Sequence, residues 1–130
     1  HKYNISNQIK ESLNLFAKDI KLLRENKDFF NHDLEKNIYL NNKNYMINLN
    51  IINFASNSRY KLKDFSETLK SILKSKVHKF PIDGNYLMRN GMKEGSALGR
   101  VLKIIEDEWI VNGFKISNNR VKEIIKLNLN

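Results

Sequence analysis

Three groups of side chains in this 130-residue chain are of types that can do chemistry. His32-Asp33 is the kind of adjacent pair that holds a divalent metal for phosphate-ester hydrolysis. Such a centre needs further ligands at separate positions, and only His1 and His78 remain to supply an imidazole. No metal site is expected. Gly95-Ser96, followed by Glu106-Asp107-Glu108, brings a glycine-serine step and a carboxylate run together. Paired carboxylates hold magnesium when they project from neighbouring positions of a strand. Here they fall inside a helical repeat, where Glu106 and Glu108 point in different directions. One structural carboxylate and a solvated face are expected instead. The chain has no Ser-His-Asp set and no G-x-x-x-x-G-K loop. No catalytic residue is predicted.

The third group is cationic. Arg89, Lys93, Ser96, Arg100 and Lys103 surround a predicted helix start at Gly95-Ser96. The first turn of a helix has backbone N–H groups without intrahelical partners and the positive end of the helix dipole, so it favours phosphate. These five residues form the predicted phosphate-binding set. Gly91 to Gly99 between two helices also suggests a DNA-binding helix-hairpin-helix, but that motif wants glycines two apart, and here they are four apart. Trp109 and Tyr86 have rings that can stack on bases. The helical spacing of Trp109 with Leu102 and Ile105 favours the core for it.

The elements that position this set are helices. Ile9, Leu13, Phe16, Ile20 and Leu23 recur at helical steps over residues 6–25, with Ser6 as N-cap. Lys10, Lys18, Lys21 and Arg24 lie off that stripe, on a solvated face. A short helix over 31–41 turns Leu34, Ile38 and Tyr39 inward. Asn41, Asn42 and Asn44 break the chain before the dense apolar run Tyr45 to Ala55. Its partial alternation admits a strand, but a lone strand cannot satisfy its backbone, so a buried helix is expected. Asp64 caps a helix to Ser75 with Phe65, Leu69, Ile72 and Leu73 on its apolar face. Pro81 holds Phe80 out of the helical region. Asp83 caps a short helix over Gly84 to Arg89, which Asn90-Gly91 ends. The next helix runs from Gly95-Ser96 to Asn112-Gly113 on Leu98, Val101, Leu102, Ile105 and Trp109. Ser117 caps the last, with Val121, Ile124, Ile125 and Leu127 inward. The expected fold is all-α, a bundle of five to seven helices without an α/β catalytic head. Residues 1–76 and 77–130 are its two segments, packed as one compact unit.

The totals narrow the partners. Net charge is +9, which favours a polyanion. The 18 lysines, 20 asparagines and 15 isoleucines share AT-rich codons, so genome composition is a plainer source of the same charge. No apolar run reaches the roughly 18 residues of a membrane span, and no membrane partner is expected. Zero cysteines exclude disulfides and suit a cytoplasmic location. The chain begins at His1 rather than Met and reads as part of a longer protein.

Residues 80–114 carry the only proline, the only tryptophan and all five glycines. The order Pro81, Gly84, Leu87, Gly91, Gly95, Leu98, Gly99, Leu102, Glu106, Trp109 resembles the C-terminal region of bacterial tRNA nucleotidyltransferases (CCA-adding enzymes) and poly(A) polymerases. The match spans about a quarter of the chain. The resemblance implies a substrate-positioning body and tail. This part grips tRNA by backbone and shape and presents its 3′ end to an N-terminal catalytic head. That head, with its magnesium and nucleoside triphosphate, lies outside this sequence, and no cofactor is expected within it. Pro81, Gly84, Gly91, Gly95, Gly99, Glu106 and Trp109 are then the structural motif. A helical protein-interaction or oligomerisation module, pairing through the Ile9 to Leu23 stripe, is the alternative.

Overall fold

The computed structural model describes residue 14 and residues 16–129, and among these every regular element is a helix. Ser6, Ile9, Lys10 and Leu13 lie outside the described residues. The chain divides into two compact units, one ending at Val77 and the other beginning at His78. No helix among the described residues is long and apolar enough to cross a membrane.

In the first unit, residues 16–25 form α1. Helices α2 (Leu34–Asn41), α3 (Lys43–Ser56) and α4 (Leu62–Lys74) follow. Phe29, Leu34, Ile38, Met46, Leu49 and Ile72 make the core, and Phe16, Ile20 and Leu23 of α1 pack against it. The described part of that stripe, Phe16, Ile20 and Leu23, thus packs within its own unit. A single residue, Asn42, separates α2 from α3. Its φ of 81° and ψ of 163° form a backbone state uncommon for a residue with a side chain. Its side chain accepts the Tyr45 N–H at 2.9 Å and starts α3 as the backbone of α2 ends.

Helix α3 departs from the expected apolar packing. Its inward face is Met46, Leu49, Asn50 and Asn53, spaced 3, 1 and 3 residues apart, whereas Ile51 is 47% exposed. Helical phase decides this, not hydrophobicity: Ile51 is one step round from Asn50 and points away. Asn50 is tolerated because its bonds are made. Its amide donates to the Phe65 carbonyl at 3.2 Å, and its oxygen accepts from the Tyr60 hydroxyl at 2.5 Å. Burial raises the Tyr60 hydroxyl pKa; a bond with Thr68 opposes it, and the Asp64 charge adds a lesser push upward. Tyr45 stacks on Phe16 at 4.8 Å and donates to Asp19; burial first and that bond second hold its hydroxyl protonated well above the usual range. Two expectations on α4 are corrected. Lys61 occupies the N-cap, with Asp64 inside the first turn, and Leu73 is exposed because Ile72 takes the inward position.

The second unit holds α5 (Gly84–Arg89), α6 (Ser96–Val111) and α7 (Asn118–Leu127). Asp83 caps α5 by accepting the Tyr86 N–H at 2.9 Å, and Ser117 caps α7 by accepting the Arg120 N–H at 3.1 Å. Helices α5 and α6 end in the same way. Met92 N–H reaches back to the Leu87 carbonyl and Gly91 N–H to Met88, both at 3.1 Å. Phe114 N–H reaches Trp109 at 2.8 Å and Gly113 N–H reaches Ile110 at 3.1 Å. Both are Schellman closures, each with an Asn-Gly step and with glycine in the left-handed region at φ 103° and 71°. The closures also make apolar contacts. Leu87 and Met92 share the core with Val101, Ile105, Val121, Ile124 and Ile125. Phe114 meets the Trp109 ring at 5.0 Å, and Phe80 and His78 complete that cluster. Leu127, expected inward, is 72% exposed, since Ile124 and Ile125 already fill the inward phase of α7.

Candidate nucleic-acid interface

The corner between α5 and α6 begins with the closure at Gly91, which throws the chain out of α5 and into Lys93, Glu94 and Gly95. Gly95 adopts φ 148° and ψ −171°, a backbone state that side-chain-bearing residues avoid. It occupies the N-cap of α6, and no side chain caps that helix. Leu98 N–H bonds back to the Gly95 carbonyl at 3.2 Å. The N–H groups of Ser96 and Ala97 have no protein acceptor among the described residues. A 16-residue helix therefore ends its positive pole at an exposed turn.

Around that turn lies an open cleft of about 460 Å³. Lys93, Ser96 and Arg100, three members of the predicted set, line it together with Glu94, Asn128 and Leu129. The last two come from the chain after α7 and were not legible as site residues. Leu129 packs toward Gly91, where an added Cβ would lie 3.8 Å from Leu129 Cδ2. Glu94 sets a carboxylate beside the cations and offsets part of their charge.

The other two predicted cations stand differently. Arg89 is in the last turn of α5 and does not line the cleft. Lys103 is a turn further along α6, where its ammonium meets Asp107 at 2.7 Å and Glu106 at 3.7 Å. The Asp107 bond raises its pKa, and its charge is largely answered within its own helix. Among the structural-motif positions, Gly84 has a packing reason: an added Cβ would fall 3.1 Å from Leu98 Cδ2. Gly99 has none within the unit, since an added Cβ would meet nothing within 4 Å. The close helix approach that a mid-helix glycine suggests is absent among the described residues, and its surface is open to an outside partner.

The carboxylates of α6 are accounted for structurally. Glu108 takes a bidentate fork from Arg120, with Nε at 2.8 Å from Oε2 and Nη2 at 2.8 Å from Oε1. That fork ties α6 to α7 and holds the Glu108 carboxyl below its ordinary range. Trp109 is only 4% exposed and belongs to the core, not to a stacking surface. Tyr86 likewise packs against the core. His32 meets only its neighbour Asp33, at 3.1 Å, and no three metal-ligating side chains converge among the described residues. Comparison with protein-family models, curated proteins and solved structures finds no match.

Proposed function

We propose that the chain is an RNA-holding module that grips folded RNA, with tRNA as its substrate class, by the phosphate backbone at the α5–α6 corner. The observation that carries this is the uncapped start of α6, with Lys93, Ser96 and Arg100 around it. The net charge of +9 supplies long-range attraction for a polyanion. The open surface at Gly99 lets a sugar-phosphate backbone approach α6 closely. The order of proline, glycines and acidic residues over 80–114 adds the resemblance to nucleotidyltransferases and poly(A) polymerases. On that reading the module presents the RNA 3′ end to a separate catalytic head, which supplies magnesium and the nucleoside triphosphate.

The test is a titration of the full chain with tRNA across a series of salt concentrations. Binding weakens steeply with salt and discriminates little by sequence. Folded tRNA is preferred over single strands and duplex DNA. The double variant Lys93→Ala/Arg100→Ala flattens the log K against log salt slope by about 2, one for each phosphate that no longer meets a cation. No binding at low salt, or an unchanged slope in the variant, rules the assignment out.

A further inference from the structure

We propose that the first unit carries a second site, a purine-nucleotide pocket in the cleft formed by α1, α3, α4 and the turns beside them. The cleft has a volume of about 650 Å³, within the range of small-molecule sites. Its key group is Asn53, only 3% exposed and yet part of the lining. Arg24 Nε donates to Asn53 Oδ1 at 3.3 Å, and Arg24 Nη2 donates to Ser56 Oγ at 2.9 Å. Arginine has no acceptor, so the amide must turn its oxygen to Arg24 and its nitrogen elsewhere. Among the described residues nothing accepts from Asn53 Nδ2, and no fully buried side-chain nitrogen or oxygen lacks a partner. The amide nitrogen therefore reaches the cleft, a fixed donor without an acceptor.

The rest of the lining selects the ligand. Arg24 is held by two neutral side chains and meets no carboxylate among the described residues, so its charge is available. Lys27 adds a second cation on the same cleft, and Asp64 and Glu67 add carboxylates. A bare anion would meet repulsion from those carboxylates. A purine monophosphate satisfies both kinds of group. Its phosphate answers Arg24 and Lys27, a ring acceptor answers Asn53 Nδ2, and ring or exocyclic N–H groups answer a carboxylate. Phe30 offers an apolar wall.

This inference is independent of the RNA reading for the α5–α6 corner. Its test is calorimetric titration of the full chain with guanosine monophosphate, adenosine monophosphate, inorganic phosphate and free glutamine. A purine monophosphate is expected to bind saturably, and phosphate and glutamine are not. Arg24→Gln keeps a donor to Asn53, removes the charge, and weakens binding about tenfold, the scale of one charge-assisted hydrogen bond. Asn53→Asp keeps the Arg24 contact, replaces the donor with an acceptor, and abolishes binding while the circular dichroism stays native. Arg100→Ala leaves nucleotide binding unchanged even if it weakens tRNA. Absence of saturable nucleotide binding, binding that survives both cleft variants, or equal binding of phosphate or glutamine overturns the proposal.

Discussion

The two units solve the same problem, turning a chain between helices, with different residues. The second holds all five glycines, whereas the first holds none and carries 13 of the 20 asparagines. In the second unit, backbone geometry makes the turn and the core behind it is apolar. In the first, side-chain amides make the turn at Asn42 and enter the core at Asn50 and Asn53. Under the two proposals above, the contrast becomes one of recognition. A glycine-built corner exposes backbone N–H groups that suit any phosphate, while an amide-lined cleft has a donor and acceptor pattern that suits few ligands.

The contrast can be broken most severely in the cores. Leu87→Ala and Leu49→Ala each remove a fully buried side chain, and each should cost about 2–5 kcal/mol in denaturant unfolding. Next in size is Asn50→Leu, which removes the bonds to the Tyr60 hydroxyl and the Phe65 carbonyl and should cost about 1–3 kcal/mol in all. Adding Tyr60→Phe to it should recover part of that loss; no recovery would mean that the amide is packing material rather than wiring. No equivalent rescue exists in the apolar second core.

Glycine substitutions give smaller and opposite effects. Gly91→Ala forces an alanine to φ 103° and should destabilise by about 1–3 kcal/mol. Gly99→Ala meets no atom within 4 Å and should stabilise by about 0.5–1 kcal/mol, as alanine does in a helix interior. Thermal melts read both, and weaker tRNA affinity in a more stable Gly99→Ala would place the phosphate backbone against that surface. The smallest effect is acidic. The Glu108 carboxyl lies below its ordinary value of 4.5 because of Arg120. Its contribution is complete above the ordinary value and is lost as pH falls through the lowered one. An Arg120→Met variant should therefore differ from the parent in melting temperature at pH 7 but converge with it in strong acid.

Much of the helical order was legible because its signals are local. Asp83 and Ser117 cap as their types and positions suggest, and both Asn-Gly steps end helices. The inward faces of α6 and α7 follow from apolar spacing, except at Leu127. Helix α3 was readable as a helix but not in its phase, because polar Asn50 and Asn53 hold the buried positions. Their partners, Tyr60, Phe65 and Arg24, are 10 to 29 residues away, and no periodicity encodes such pairs. The site shows the same limit. Lys93, Ser96 and Arg100 were visible because one helix start gathers them. Asn128 and Leu129 join only through tertiary folding, and the pairing of Lys103 with Asp107 outweighs its nearness in sequence.

The Schellman closures also bear on how the protein ages. Asn-Gly is the step most prone to deamidation, in which the glycine backbone nitrogen attacks the asparagine side-chain carbonyl and closes a succinimide. At both steps here that nitrogen is already committed as a donor, to Met88 from Gly91 and to Ile110 from Gly113. Asn90 is further restrained by its own amide, which donates to the Tyr86 carbonyl at 2.8 Å. The turns that shape the second unit thus shield its most labile bonds for as long as it stays folded. Peptide mapping of aged protein should find isoaspartate at residues 90 and 112 only after unfolding.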